Sequence, residues 1–279
     1  RVWQWTGIIL ILCLFGGAYW YFQVFAGVKT NTSLTDPLSE GLAGYWKLDD
    51  GSGTSATDSS ANGNTGTLTN GPTWGTGRIG GDVDFDGTND YVTMGDQSIH
   101  EGMATMTLSG WIKMDALPVS NYMPVSKSQG FGQYRLNIDS TGTPSFVVTT
   151  TNNTWYSSGT VASGSTALTT STWIHLLGTY DGQYVRIYVN GVLAGTGSQA
   201  ISGAIVSNTA EFRLGYDTYG NYFNGQIDEV RLYNRALSVE EATQLYHVNA
   251  PTGVDTNLKG YWTFDGTDIS GTTTIDRSG

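Results

Sequence analysis

The sequence predicts an all-β protein, two antiparallel sheets packed as a sandwich, preceded by a single N-terminal transmembrane helix. Three observations carry this. Short runs of alternating apolar and polar residues recur between Ala43 and Tyr233, the period of strands with one buried face. Asp181-Gly182 and Asn190-Gly191 interrupt the clearest of them, and such pairs supply the positive φ values of tight hairpin turns. Residues 6–26 stand apart, uncharged and aromatic-flanked, and roughly 20 such residues suffice to cross a bilayer as a helix.

Taken in order, residues 1–27 form the expected anchor, with Trp3 and Trp5 at one end and Tyr19, Trp20 and Tyr21 near the other as interfacial aromatics. A cleaved signal peptide is the alternative. The run is long for one, and no Ala-x-Ala sequence ends it. Residues 28–41 are a polar tether. A single-pass cell-membrane protein with its C-terminal part outside is the expectation, and the lipid bilayer is then a partner of residues 6–26.

A first strand covers residues 43–48, and residues 49–71 read as long polar loops. Val83 and Phe85 then point one way and Asp82, Asp84 and Asp86 the other. Further strands are expected at 91–94, 105–114, 122–127, 133–138 and 145–149, then in a meander over 173–194, and at 212–214. Residues 223–247 organise the end of the domain. Asp228, Val230 and Leu232 are expected on one strand face, with Ile227, Glu229, Arg231 and Tyr233 on the other, in a strand that closes a sheet. Ser238 with Glu241 makes a capping box for a short helix. Gly44-Tyr45-Trp46 with Leu48-Asp49 recurs as Gly260-Tyr261-Trp262 with Phe264-Asp265, so residues 42–249 are read as one domain, 250–257 as a linker and 258–279 as the start of a truncated second copy.

The segments GLAGYWKLDD, VDFDGTNDYV, LSGWIK and GQIDEVRLYNRALSVEEATQLY together resemble the laminin G-like, concanavalin A-like jelly-roll family. The resemblance covers residues 41 to about 249. It implies a jelly-roll sandwich and a binding or adhesive role, with enzymes of the same fold as the alternative.

The chain carries 24 acidic and 13 basic residues, a net charge of −11. This argues against nucleic acid as a partner, which needs a basic footprint. The single Cys13 excludes an intrachain disulfide. Glycosidases need two opposed carboxylates, and no Glu-x-Asp-x-Glu run places them on one strand face. Asp228 and Glu229, being adjacent, are expected to face opposite ways. His100, His175 and His247 lack metal or triad spacing. No enzymatic activity is therefore expected. Exposed aromatics are the other resource, since sugar sites combine ring faces with a few fixed polar groups. Trp155, Tyr156, Tyr216, Tyr219 and Tyr222 lie in or beside loops and are the candidate ligand-binding residues, whereas Trp46, Trp111 and Trp173 lie on strands and read as core. The expected partner is a glycan or a surface protein, and a structural spacer is the remaining alternative. Calcium, common among laminin G-like domains, is the expected cofactor. Its candidate ligands are Asp86 and Asp228, with Asp49 and Asn89 beside them, because calcium takes carboxylate, amide and carbonyl oxygens.

Overall fold

The computed structural model describes residues 36–248 apart from 129–131, 154–156, 158 and 219, together with residues 10–15, 18–23, 269–270 and 273–274. Residues 1–40 form one unit and residues 41–279 another.

In the first unit, β1 (Leu10–Phe15) pairs antiparallel with β2 (Ala18–Gln23). This departs from the single helix expected over 6–26. The Tyr-Trp-Tyr-Phe run of β2 favours extended backbone. Among the described residues no helix is long and apolar enough to cross a membrane.

The second unit begins with β3 (Leu42–Trp46), β4 (Ser55–Ala56), β5 (Gly66–Thr69), β6 (Thr73–Thr76), β7 (Gly81–Asp86) and β8 (Tyr91–Thr93). The middle of the chain supplies β9 (Met106–Met114), β10 (Asn121–Lys127), β11 (Tyr134–Asp139), β12 (Pro144–Val148) and β13 (Val161–Ser163). Then follow β14 (Ile174–Tyr180), β15 (Val185–Val189), β16 (Val192–Thr196), β17 (Phe212–Leu214), β18 (Asn224–Tyr233) and the helix α1 (Val239–Val248). Two short strands, β19 (Ile269–Ser270) and β20 (Thr273–Thr274), pair with each other. The remainder of the expected second copy lies outside the described residues.

One sheet runs β13-β12-β11-β10-β17-β8-β5-β4, the other β16-β15-β14-β9-β18-β7-β6, with β3 also on β18. All pairings are antiparallel, and the two inner faces form one apolar core containing Trp46, Phe85, Leu108, Ile112, Phe146, Ile187, Phe212 and Val230. Trp46 stacks on Phe212 with ring centroids 5.1 Å apart, and its indole N–H donates to the Asn64 carbonyl at 2.8 Å. Residues 49–71 are less loop-like than their polarity suggests. Besides holding β4 and β5, they are tied down by the carboxylate of Asp58, which accepts from the backbone N–H groups of Tyr45, Ser60 and Asn64.

β18 is not a closing strand. β9 flanks it along one side, while the other side pairs with β7 from Asn224 to Ile227 and with β3 from Val230 to Tyr233. The change of partner takes place at a bulge between Asp228 and Arg231, where Glu229 has φ of 53°. The extra residue shifts the side-chain phase. Ile227, Val230 and Leu232 all enter the core, so Asp228 does not share a face with Val230 and Leu232. It lies opposite Trp111 on the outer face.

That outer face is covered in part by α1. Ser238 and Glu241 exchange the two capping bonds, Glu241 N–H to Ser238 Oγ at 3.2 Å and Ser238 N–H to Glu241 Oε2 at 2.8 Å. Trp111 stacks on Tyr246 at 5.5 Å and is thus buried beneath the helix, outside the core between the sheets. Asn190-Gly191, with φ of 51° and 76°, makes the two-residue turn expected of it. The turn at Asp181 is longer, because its carboxylate accepts from the N–H groups of both Gln183 and Tyr184.

Candidate functional site

The loop between β17 and β18 brings half-buried aromatic and charged side chains together. Tyr216 and Tyr222 meet across it as an antiparallel bridge, their rings stacked at 4.6 Å and 15°. Tyr91, on β8, lies 5.5 Å from Tyr216. The Arg213 guanidinium sits 5.3 Å from the Tyr216 ring and 5.9 Å from that of Tyr91, within cation–π range of both. All three rings are half-buried.

The strands explain the gathering. Phe212 and Leu214 occupy the core, which turns Arg213 outward. Its cross-strand neighbour is Thr93, two residues beyond Tyr91 on the same face of β8. The chain leaves β17 through Gly215 at φ of 80°, where a Cβ would fall 2.4 Å from the Phe85 ring, so only glycine passes. Asp217 is buried and accepts from the Asn221 backbone N–H at 3.1 Å and from its side-chain amide at 3.2 and 3.3 Å. Ser126 Oγ donates to the Tyr216 carbonyl at 3.0 Å. The two loop tyrosines are thereby held in place.

Beside the rings lies a cleft of about 260 Å³ lined by Thr209, Ala210, Glu211, Arg213 and Thr218. Arg213 Nε and Nη2 donate to Glu211 Oε2 at 3.1 and 2.9 Å, and Thr93 Oγ1 donates to the same oxygen at 2.9 Å. Burial alone would raise the Glu211 carboxyl, but the bonds from Thr93 and Arg213 hold it below its ordinary value. It is an ionised acceptor at neutral pH.

Of the expected aromatic ligands, Tyr216 and Tyr222 are brought together here, while Trp155, Tyr156 and Tyr219 lie outside the described residues. Tyr91, Glu211 and Arg213 were not among them. Glu211-x-Arg213 across a two-apolar strand, and Tyr91-x-Thr93 alternating with Val92 and Met94, carried the signal in their period. Trp173, expected in the core, is instead half-buried beside a separate cleft of about 510 Å³ that it lines with Leu168, Asn190 and Leu193.

The four calcium candidates do not share a site. Asp49 accepts from the Gly81 N–H at one end of β7, the end near Asp228. Asp86 is at the other end, paired with Asn224 and lining a cleft of about 240 Å³ with Asp84, Asp90 and Asp115. Asn224 and Asp228 are four residue steps apart along β18, about 13 Å of strand, too far for one ion. Asn89 contributes its carbonyl to the Asn70 side chain. Among the described residues no three His, Cys, Asp or Glu side chains converge so as to hold a metal ion.

The bulge also corrects the expectation that Asp228 and Glu229 face apart. Glu229 accepts from Tyr45 Oη at 2.7 Å and from Arg231 Nη2 at 2.8 Å. Tyr45 and Arg231 are cross-strand partners, and Arg231 lies opposite Ser109, two residues along β9 from Trp111. Both carboxylates thus belong to the outer face. Burial pushes Asp228 up to about 8, helped by the charges of Glu229 and Asp49, although the Ile79 N–H donates to its Oδ2 at 2.9 Å. The two acids are 0% and 2% exposed and line none of the clefts described above.

Solved structures share this architecture at low identity. Domain 4 of AbnA, a GH43 extracellular arabinanase from Geobacillus stearothermophilus solved in complex with arabinotriose, is 22% identical with a TM-score of 0.55, covering 74% of this chain and 98% of that one. The binding domain of Botulinum Neurotoxin DC in complex with SialylT is 13% identical with a TM-score of 0.58, covering 81% of this chain and 55% of that one. Trypanosoma rangeli sialidase in complex with the inhibitor DANA is 17% identical with a TM-score of 0.56, covering 73% of this chain and 32% of that one. At these identities the likeness is one of fold. No curated protein matches the chain. The family model described as the concanavalin A-like lectin/glucanases superfamily, Laminin_G_3, matches residues 86–243, more than half of the sequence. The chain belongs to that superfamily.

Proposed function

We propose that this domain is a non-catalytic carbohydrate-binding module acting outside the cell, with the glycan seated on Tyr91, Tyr216 and Tyr222 and oriented by Arg213 and Glu211. The observation that carries this is the half-exposed tyrosine row joined to a fixed donor and acceptor. Ring faces accept the C–H faces of sugars, and a few placed polar groups set orientation. Two neighbours of the same fold hold glycan-type ligands, arabinotriose and SialylT, which supports the reading by analogy of fold.

The module is proposed to lack catalysis. Hydrolysis needs two carboxylates flanking an accessible bond. Asp228 and Glu229 share a face but are buried, and Glu229 is committed to Tyr45 and Arg231. A binding screen of the chain against cell-wall and animal oligosaccharides, read beside reducing-end release from the same compounds, tests both halves. Binding without release is expected. Release that is lost in Glu229→Gln would overturn the second half, and absence of binding the first.

A further inference from the structure

At the proposed glycan face the geometry favours neutral sugars: we propose that Glu211 makes the site selective for uncharged sugars carrying a vicinal diol, against uronic, sialic and sulfated sugars. The inference rests on the proposed glycan face and adds a specificity-determining residue to it.

Arg213 is the cation nearest the tyrosine row, and its charge is already matched. Glu211 takes Nε and Nη2 on a single oxygen, Oε2, together with Thr93. Glu211 Oε1 and Arg213 Nη1 have no hydrogen bond within the described residues, and the Glu211 side chain is 40% exposed against 18% for Arg213. Glu211 and Arg213 both line the cleft, which thus offers one anionic acceptor and one donor on paired side chains: one hydroxyl of a diol can donate to Oε1 while its neighbour accepts from Nη1. An anionic sugar reaching for Arg213 meets the Glu211 carboxylate first. The whole chain, at −11, adds repulsion of the same sign. Two like charges about 4 Å apart near a wet surface are disfavoured by on the order of tenfold in affinity.

The row also sets length. Tyr222 has Tyr216 as its only ring contact among the described residues, whereas Arg213 approaches the rings of Tyr216 and Tyr91. A ligand touching both the Glu211–Arg213 pair and the Tyr222 ring spans more than one sugar, so oligosaccharides are favoured over monosaccharides.

The test is isothermal titration of the chain with arabinotriose, xylotriose, laminaritriose and mannotriose, against trigalacturonic acid, a hyaluronan tetrasaccharide and 3′-sialyllactose. At least one neutral trisaccharide is expected to bind about tenfold or more tighter than every acidic one. Glu211→Gln is expected to narrow that gap to about twofold, because it keeps an acceptor and frees the Arg213 charge. Acidic sugars binding wild type as tightly as neutral ones would overturn the inference while leaving the glycan face standing. An unchanged ratio in a folded Glu211→Gln would do the same. Should that variant not fold, the wild-type ratio and its salt dependence decide: acidic binding must strengthen as salt screens Glu211 and must not weaken. No binding by any probe would overturn the glycan face itself, and the selectivity with it.

Discussion

Asp228 is a buried acid with no ion pair among the described residues, and its environment makes stability depend on pH. Its folded carboxyl is pushed up to about 8 from an ordinary 3.8 by burial first, then by Glu229 and Asp49. Between about pH 4 and pH 8 the folded chain keeps a proton there that the unfolded chain has released, so this contribution to stability falls as pH rises. Asp82, pushed up to about 6 by burial and by Asp84, acts in the same direction at lower pH. His100 and His175, pushed down by burial to about 4 and about 3 from 6.5, oppose it, adding stability as pH rises to 6.5. Above pH 6.5, of these four only Asp228 still titrates. Melting curves are therefore expected to show stability declining from pH 6.5 to 8, and Asp228→Asn to flatten that decline and gain on the order of 1 kcal/mol at pH 8. A decline that survives the substitution contradicts the assignment. Because Asp228 and Asp86 lie at opposite ends of β7, any calcium-dependent rise in melting temperature is expected to persist in Asp228→Asn. This residue is also where the sequence misled most. Strict alternation placed it with Val230, and nothing in the string Ile-Asp-Glu-Val marks Glu229 as a left-handed residue. A bulge is set by the exchange of β7 for β3 as partner, which only the assembled sheet specifies.

At the scale of elements, the short helix and the tyrosine loop make contrasting predictions. The capping box was legible because its bonds are local, three residues apart. Ser238→Ala is expected to cost about 1 kcal/mol in denaturant unfolding without altering any glycan affinity. The tyrosine loop was half legible. Tyr216 and Tyr222 stood out as loop aromatics, but Tyr91 comes from a strand more than a hundred residues earlier, and the β8–β17 pairing that delivers it is non-local. Gly215→Ala is expected to destabilise by more than about 1 kcal/mol, since it adds both a left-handed penalty and a clash with Phe85. It should also weaken binding by displacing Tyr216. An alanine there that neither lowers the melting temperature nor affects binding would show that the loop is not built as described. The strands within residues 49–71 are not legible in composition for a related reason. Asp58 organises them through backbone N–H groups, a role that composition reports only as polarity.

For the whole molecule, the two-sheet sandwich followed from period, turn chemistry and motif set together, because strands with one buried face alternate whatever their order in the sheet. Strand order, and hence which outward residues become neighbours, does not follow from period. The proposed glycan face is made of such outward residues, Tyr91, Glu211, Arg213, Tyr216 and Tyr222. The central claim is that this face binds glycan. Its most direct test is a nuclear magnetic resonance titration of the labelled chain with the tightest-binding oligosaccharide of the panel, repeated on Tyr222→Ala. The account predicts saturable shifts centred on Tyr91, Arg213, Tyr216 and Tyr222, and an affinity roughly tenfold lower in the variant at unchanged melting temperature. Shifts centred instead on the cleft beside Trp173 and Leu193, with affinity intact in Tyr222→Ala, would contradict it.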